Sequence, residues 1–193
     1  MIKPGDFENV QAFSDFKALP AGGYVCKVMK VEEATSSSGK PMIIVSLDIA
    51  EGEYKDYYSE LYRSDSRIDK KWGCRVFQLV YDGDNKTSRG FKTFCTAVKE
   101  SNSGFEIAWG DNFANCFKGK LIGGVFRREE YEKTSGGTGW TTRCCGFRGI
   151  DSVKKGIEPP QDKPLLNKPS GGSDAFSTAG FENLAVSEDD LPF

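Results

Sequence analysis

Only one stretch of this chain carries a clear helical period, and it lies between two blocks patterned for strands. From Gly90 to Ser101, the residues Phe91, Phe94, Cys95 and Val98 fall at i, i+3, i+4 and i+7, one apolar face of a helix. Ser88 stands where it can cap the start, and Asn102-Ser103-Gly104 can end it. Before the helix, Tyr24 to Glu33 reads as a first strand, opened by the break at Pro20-Ala21-Gly22-Gly23. Met42 to Ala50 reads as a second, with Ile43, Val45, Leu47 and Ile49 alternating with Ser46 and Asp48. The aromatic, charged stretch Tyr54 to Arg63 continues as another strand, and Trp72 to Tyr81 suits strand or helix. After the helix and an irregular aromatic connection, Lys120 to Lys133 is a strand. Ser135-Gly136-Gly137-Thr138-Gly139 is a hairpin turn, and Trp140 to Asp151 is the return strand.

The expected fold class is therefore mainly β. Three strands, a helix and a two-stranded hairpin is the order of a five-stranded OB-fold barrel, with one helix between strands three and four. A β-sandwich or another small barrel would give a similar string. Residues 1–20 form a lead-in whose Phe7, Val10, Phe13, Phe16 and Leu19 suit packing on the barrel. The barrel domain is expected over 21–157. From Glu158 the composition turns to Pro159-Pro160, Pro164, Pro169 and Ser170-Gly171-Gly172-Ser173, which reads as a flexible linker over 158–187. An acidic, disordered tip closes the chain at 188–193.

Charge follows the same division. Residues 158–193 hold seven acids and two bases, a net of −5; residues 1–157 keep 24 bases and 21 acids, a net of +3. A mildly basic body with an acidic end suits a nucleic-acid binder with a separate end for partners. The six cysteines make no Cys-x-x-Cys pair and the chain has no histidine. A metal site is thus not expected, no cofactor is implied, and the thiols read as small core residues. Lack of the commonest general acid/base, of a phosphate loop and of a nucleophile elbow argues against an enzyme. No run reaches the ~20 apolar residues of a membrane helix, and the start lacks the apolar segment of a signal peptide, so a cytoplasmic protein is expected.

The last residues narrow the function further. Asp189-Asp190-Leu191-Pro192-Phe193 sets two carboxylates before an apolar pair that ends in an aromatic acid. Phe193 could enter a cleft, its α-carboxylate could meet an Arg, and the acids could meet a basic rim. This ending resembles the tip of bacterial and phage single-stranded DNA-binding proteins. Leu19-Pro20-Ala21-Gly22-Gly23-Tyr24 and the run from Phe91-Lys92-Thr93-Phe94 through Ala97 to Asn102 and Lys118 to Gly123 are similar to a family of phage-encoded OB-fold members of that class. The resemblance implies a protein that binds and protects single-stranded DNA during phage replication and recombination. It also implies that Asp189, Asp190, Leu191, Pro192 and Phe193 recruit replication or recombination enzymes. The strand pattern that builds the bacterial homotetramer is not visible, so a homo-oligomer stays possible without being implied.

Single-strand binding without sequence preference needs a basic groove for phosphates and aromatic faces for bases. The chain interleaves the two in three places: Tyr54 to Arg75, Phe126 to Lys133, and Trp140 to Arg148. Tyr and Trp keep a polar edge, so Tyr58, Tyr62, Trp72, Tyr131 and Trp140 are the stacking candidates, while Phe77, Phe126 and Phe147 read as core. Lys27, Arg63, Lys71, Arg75, Arg128, Arg143 and Arg148 are the phosphate candidates. Lys27 interrupts an apolar strand, as a base on an exposed concave face would. Glu129, Glu130 and Glu132 alternate with bases on the hairpin, where period two puts Arg128, Glu130 and Glu132 on one side. Two other readings fit the same residues: a structural or assembly protein of a phage with no DNA-binding role, and an OB-type enzyme or nuclease accessory.

Overall fold

The computed structural model describes residues 2–5, 7–8 and 17–165. Five strands form one antiparallel sheet: β1 (Gly22–Thr35), β2 (Pro41–Ile49), β3 (Arg75–Leu79), β4 (Leu121–Glu132) and β5 (Thr138–Arg148), in the order β3-β2-β1-β4-β5. The long β1 serves two neighbours. Gly22 to Lys27 pairs with Phe126 to Leu121, and Cys26 to Thr35 pairs with Ile49 to Pro41. A register shift between Val28 and Lys30 bends the strand where it changes allegiance. The apolar alternation of β2 puts Ile43, Val45, Leu47 and Ile49 in the core with Cys26, Val28, Phe94, Phe117, Ile122 and Phe126.

Helix α2 (Arg89–Ser101) lies where the period places it. The Ser88 hydroxyl accepts from Phe91 N–H at 3.2 Å, and Phe91, Phe94, Cys95 and Val98 are buried. At its far end the Asn102 side chain donates to the Val98 and Leu121 carbonyls and accepts from Leu121 N–H, fastening α2 to β4. A short turn, α3 (Phe113–Cys116), and a last one, α4 (Ile150–Lys154), complete the element order with α1 (Tyr57–Ser64). Val153 of α4 sits so close to β4 that a Cβ at Gly123 would lie 2.5 Å from it, so only glycine fits there.

Three expectations are corrected. The Tyr54 to Arg63 stretch is not a strand; it carries α1. The cause is remote in sequence. The buried carboxylate of Asp48 on β2 accepts from Tyr58 N–H at 2.9 Å, from Ser59 N–H at 3.1 Å and from the Ser59 hydroxyl. It supplies the N-terminal acceptor that Asp56, in the left-handed region at φ 60°, does not. Second, the sheet is open rather than a closed barrel: among the described residues no ladder joins β3 to β5. β3 has five residues, and lead-in residues occupy the seam, where the Thr142 hydroxyl donates to the Leu19 carbonyl. Third, the return strand ends at Arg148, and α4 takes over.

The chain beyond α4 also engages the sheet. β1 begins opposite Phe126, which leaves the edge of β4 from Arg127 onward free of it. The Lys163 N–H donates to the Arg128 carbonyl and the Glu130 N–H to the Lys163 carbonyl, each at 2.9 Å, a parallel bridge along that edge. The Leu165 N–H donates to Glu130 Oε2 at 3.2 Å. The first residues of the expected linker thus lie on the body. The expected tip at 188–193 lies outside the described residues.

Candidate functional site

Where β3 and β5 fail to pair, a cleft of about 770 Å³ opens. β3 contributes Arg75 and Phe77 to one wall, preceded by Trp72, Gly73 and Cys74. β5 contributes Trp140 to Cys144 to the other, with Arg128 from β4. Tyr57, Tyr58 and Leu61 of α1 and the lead-in residues Ala18 to Pro20 close the ends.

Local structure aims these side chains. On β4 and β5 the register pairs Arg128 with Thr142 and Glu130 with Trp140, on the side that carries Phe126 and Cys144 into the core. Arg128 and Trp140 are therefore diagonal neighbours, and the Arg128 guanidinium lies 4.9 Å from the Trp140 ring centre. Arg75 lies 5.4 Å over Phe77 in the same way. Trp72 is fixed by its indole N–H, which donates to the Leu47 carbonyl at 2.7 Å, and it meets Tyr62 at 5.6 Å between ring centres. Lys70 sits 4.6 Å over the other side of this pair, on Tyr62. Each rim aromatic thus has a cation or a second ring beside it, while Trp140 keeps 43% and Tyr62 36% of its surface exposed.

The floor is dry. Cys74 is buried and Cys144 packs against the core. Loss of water pushes the Cys74 thiol well above its ordinary value, and pushes Cys144 up to about 12. Both stay neutral thiols at physiological pH, and all six cysteines are unpaired. Burial likewise pushes the Tyr58 phenol up, as desolvation disfavours its charged form.

Of the residues singled out in the sequence, Trp72, Arg75, Arg128, Trp140 and Arg143 meet at the cleft, drawn from all three interleaved stretches. Tyr62 adjoins through Trp72. Tyr58 is corrected: it is 4% exposed, packed 6.5 Å from the Phe126 ring, and forms floor rather than platform. Lys27 is half-buried, alternates with the core residues Cys26 and Val28, stands in register with Asp48 and Leu121 and does not line this cleft. Arg63 and Lys71 are exposed beside Tyr62 and Trp72 without lining the cleft. Tyr131 stands at the outer end of the hairpin, across from Gly139, and Arg148 at its opposite end, across from Gly123. Two of the hairpin acids are engaged: Glu129 pairs with Arg127 at 2.7 Å, and Glu130 accepts from Leu165.

Sequence reasoning passed over Lys70 and the Leu19-Pro20 wall, and its placing of Phe77 in the core is corrected: Phe77 is only half-buried and lines the cleft. Lys70 was visible in Lys70-Lys71-Trp72, and Phe77 carried no sign that its strand borders a seam.

Comparison with known proteins adds one match. A family described as "Protein of unknown function (DUF669)" matches residues 5–71, which take in the lead-in, β1, β2 and α1. No curated protein matches the chain. Among the described residues, no helix is long and apolar enough to cross a membrane.

Proposed function

We propose that this chain binds single-stranded DNA in the cleft between β3 and β5, as a non-catalytic protein of phage replication and recombination. What carries the reading is convergence. Three stretches separated in sequence, each mixing aromatic and basic residues, contribute to one groove whose lining places Arg128 over Trp140 and Arg75 over Phe77, with Lys70 over Tyr62 adjoining through Trp72. Cations beside exposed rings suit a polyanion whose bases stack while its phosphates pair. We read the sheet as an OB-type sheet left partly open at the β3–β5 seam, since its strand order, shared β1 and helix between β3 and β4 follow that fold. Asp189 to Phe193 are proposed to recruit partner enzymes in the host cytoplasm.

Tryptophan fluorescence titrated with an oligo-dT strand tests this. Quenching is expected, with affinity falling steeply as salt rises because phosphate contacts release counterions. Binding to oligo-dT no tighter than to duplex would reject it. Removal of Asp189 to Phe193 should leave that titration intact and abolish capture of the partner enzyme.

A further inference from the structure

We propose that residues 158–165 are a working part of the binding unit, and that Asp162 is a positioning residue that holds Arg128 over Trp140. This rests on the reading above. Past Phe126, β4 and β5 continue without β1 as a two-stranded ribbon. Such a ribbon alone is marginally ordered in water. It nonetheless carries Arg128 and Trp140, the most exposed stacking and phosphate pair of the cleft.

The chain after α4 supplies what the ribbon lacks. Lys163 exchanges two backbone hydrogen bonds with Arg128 and Glu130, the very residues in register with Thr142 and Trp140. Beside that bridge the Asp162 carboxylate lies 3.3 Å from Arg128 Nη1. A guanidinium has five N–H donors in a rigid plane, so one ion pair at Nη1 leaves others for a phosphate. The carboxylate fixes one edge of the plane and the indole fixes its face. Both partners of the pair are about half exposed, so its contribution to overall stability is small. Its effect is on where Arg128 waits, and a prearranged cation binds more tightly than one that must be ordered on contact.

Asp162 is an acid beside a phosphate-binding base, and by charge alone its loss should strengthen DNA binding. Positioning predicts the reverse sign. In the full-length chain, Asp162→Asn should weaken oligo-dT binding about threefold to tenfold, and Asp162→Glu should restore it. Lys163→Pro, which removes the N–H given to Arg128, should weaken it to a similar or larger degree. In an Arg128→Gln background, Asp162→Asn should have no further effect, which a purely structural role for Asp162 would not produce. Tighter binding by Asp162→Asn, unchanged binding by both variants, or an undiminished effect in the Arg128→Gln background overturns the proposal while leaving the cleft reading in place. Failure of the wild-type protein to bind oligo-dT overturns both.

Discussion

The molecule presents its tryptophans in two different settings. Trp72 and Trp140 border the cleft, one tied to the Leu47 carbonyl, the other beneath Arg128. Trp109 sits on the connection after α2, stacked on Phe113 at 5.3 Å and near Phe91, with 68% of its surface exposed. Exposure alone would choose Trp109 as the platform. The cleft is distinguished instead by company: cations over its rings, two walls, and a floor that includes the buried Tyr58 and Cys74. An exposed ring on a convex stack offers one face and nothing to hold the backbone of a ligand, whereas a groove offers both.

The floor gives the first and largest way to sharpen this contrast. Cys144 is pushed from an ordinary 9.0 up to about 12, and Cys95 of α2 to about 11. A raised thiol leaves the folded state at full stability below its unfolded value. That stability is then lost as pH climbs from 9.0 toward the folded value, because the unfolded chain ionises first. Each such thiol costs up to about 1.4 kcal/mol per pH unit within its window. Denaturant midpoints measured at rising alkaline pH should therefore fall. Cys144→Ala and Cys95→Ala should each blunt the fall. Variant curves that fall as steeply as the wild type would mean that neither thiol is shielded from water as its raised value requires.

The rim comes next. Trp140→Ala should weaken oligo-dT binding by about 1–3 kcal/mol, the value of one stacked base. Arg128→Gln should weaken it less and lower the slope of log affinity against log salt by about one contact. The smallest effect is expected from Trp109→Ala, which should leave affinity and salt slope unchanged in the same titration. A loss there as large as that of Trp140→Ala would erase the distinction between the two settings.

Much of this was legible in the chain itself. Alternation placed β2, the break at Pro20 to Gly23 and the hairpin turn placed β1, β4 and β5, and the period and cap of α2 were legible because its cap and apolar face are local in sequence. Phe126 and Phe147 are buried as fillers. Helix α1 was hidden because its N-terminal acceptor, Asp48, comes from another strand, although Tyr57, Tyr58, Leu61 and Tyr62 do share a helical face. The choice of Tyr58 as a platform failed for the same reason, since a helix turns that ring inward. The interleaved clusters were visible as composition, but their meeting depends on which strands border the seam. Sequence spacing does not report that.

The double service of β1 has a consequence for the shape of any smaller unit. The family match stops at Lys71, ahead of β3 and far ahead of β4. A fragment cut to those limits would keep the β1–β2 hairpin yet strip both of its outer edges, one normally held by β3 and the other by β4. Bare, apolar-backed edges seek other strands. The matched segment is thus a keystone rather than a building: in isolation it should aggregate or pair with its own kind, and it becomes a domain only when later parts of the chain dress its sides.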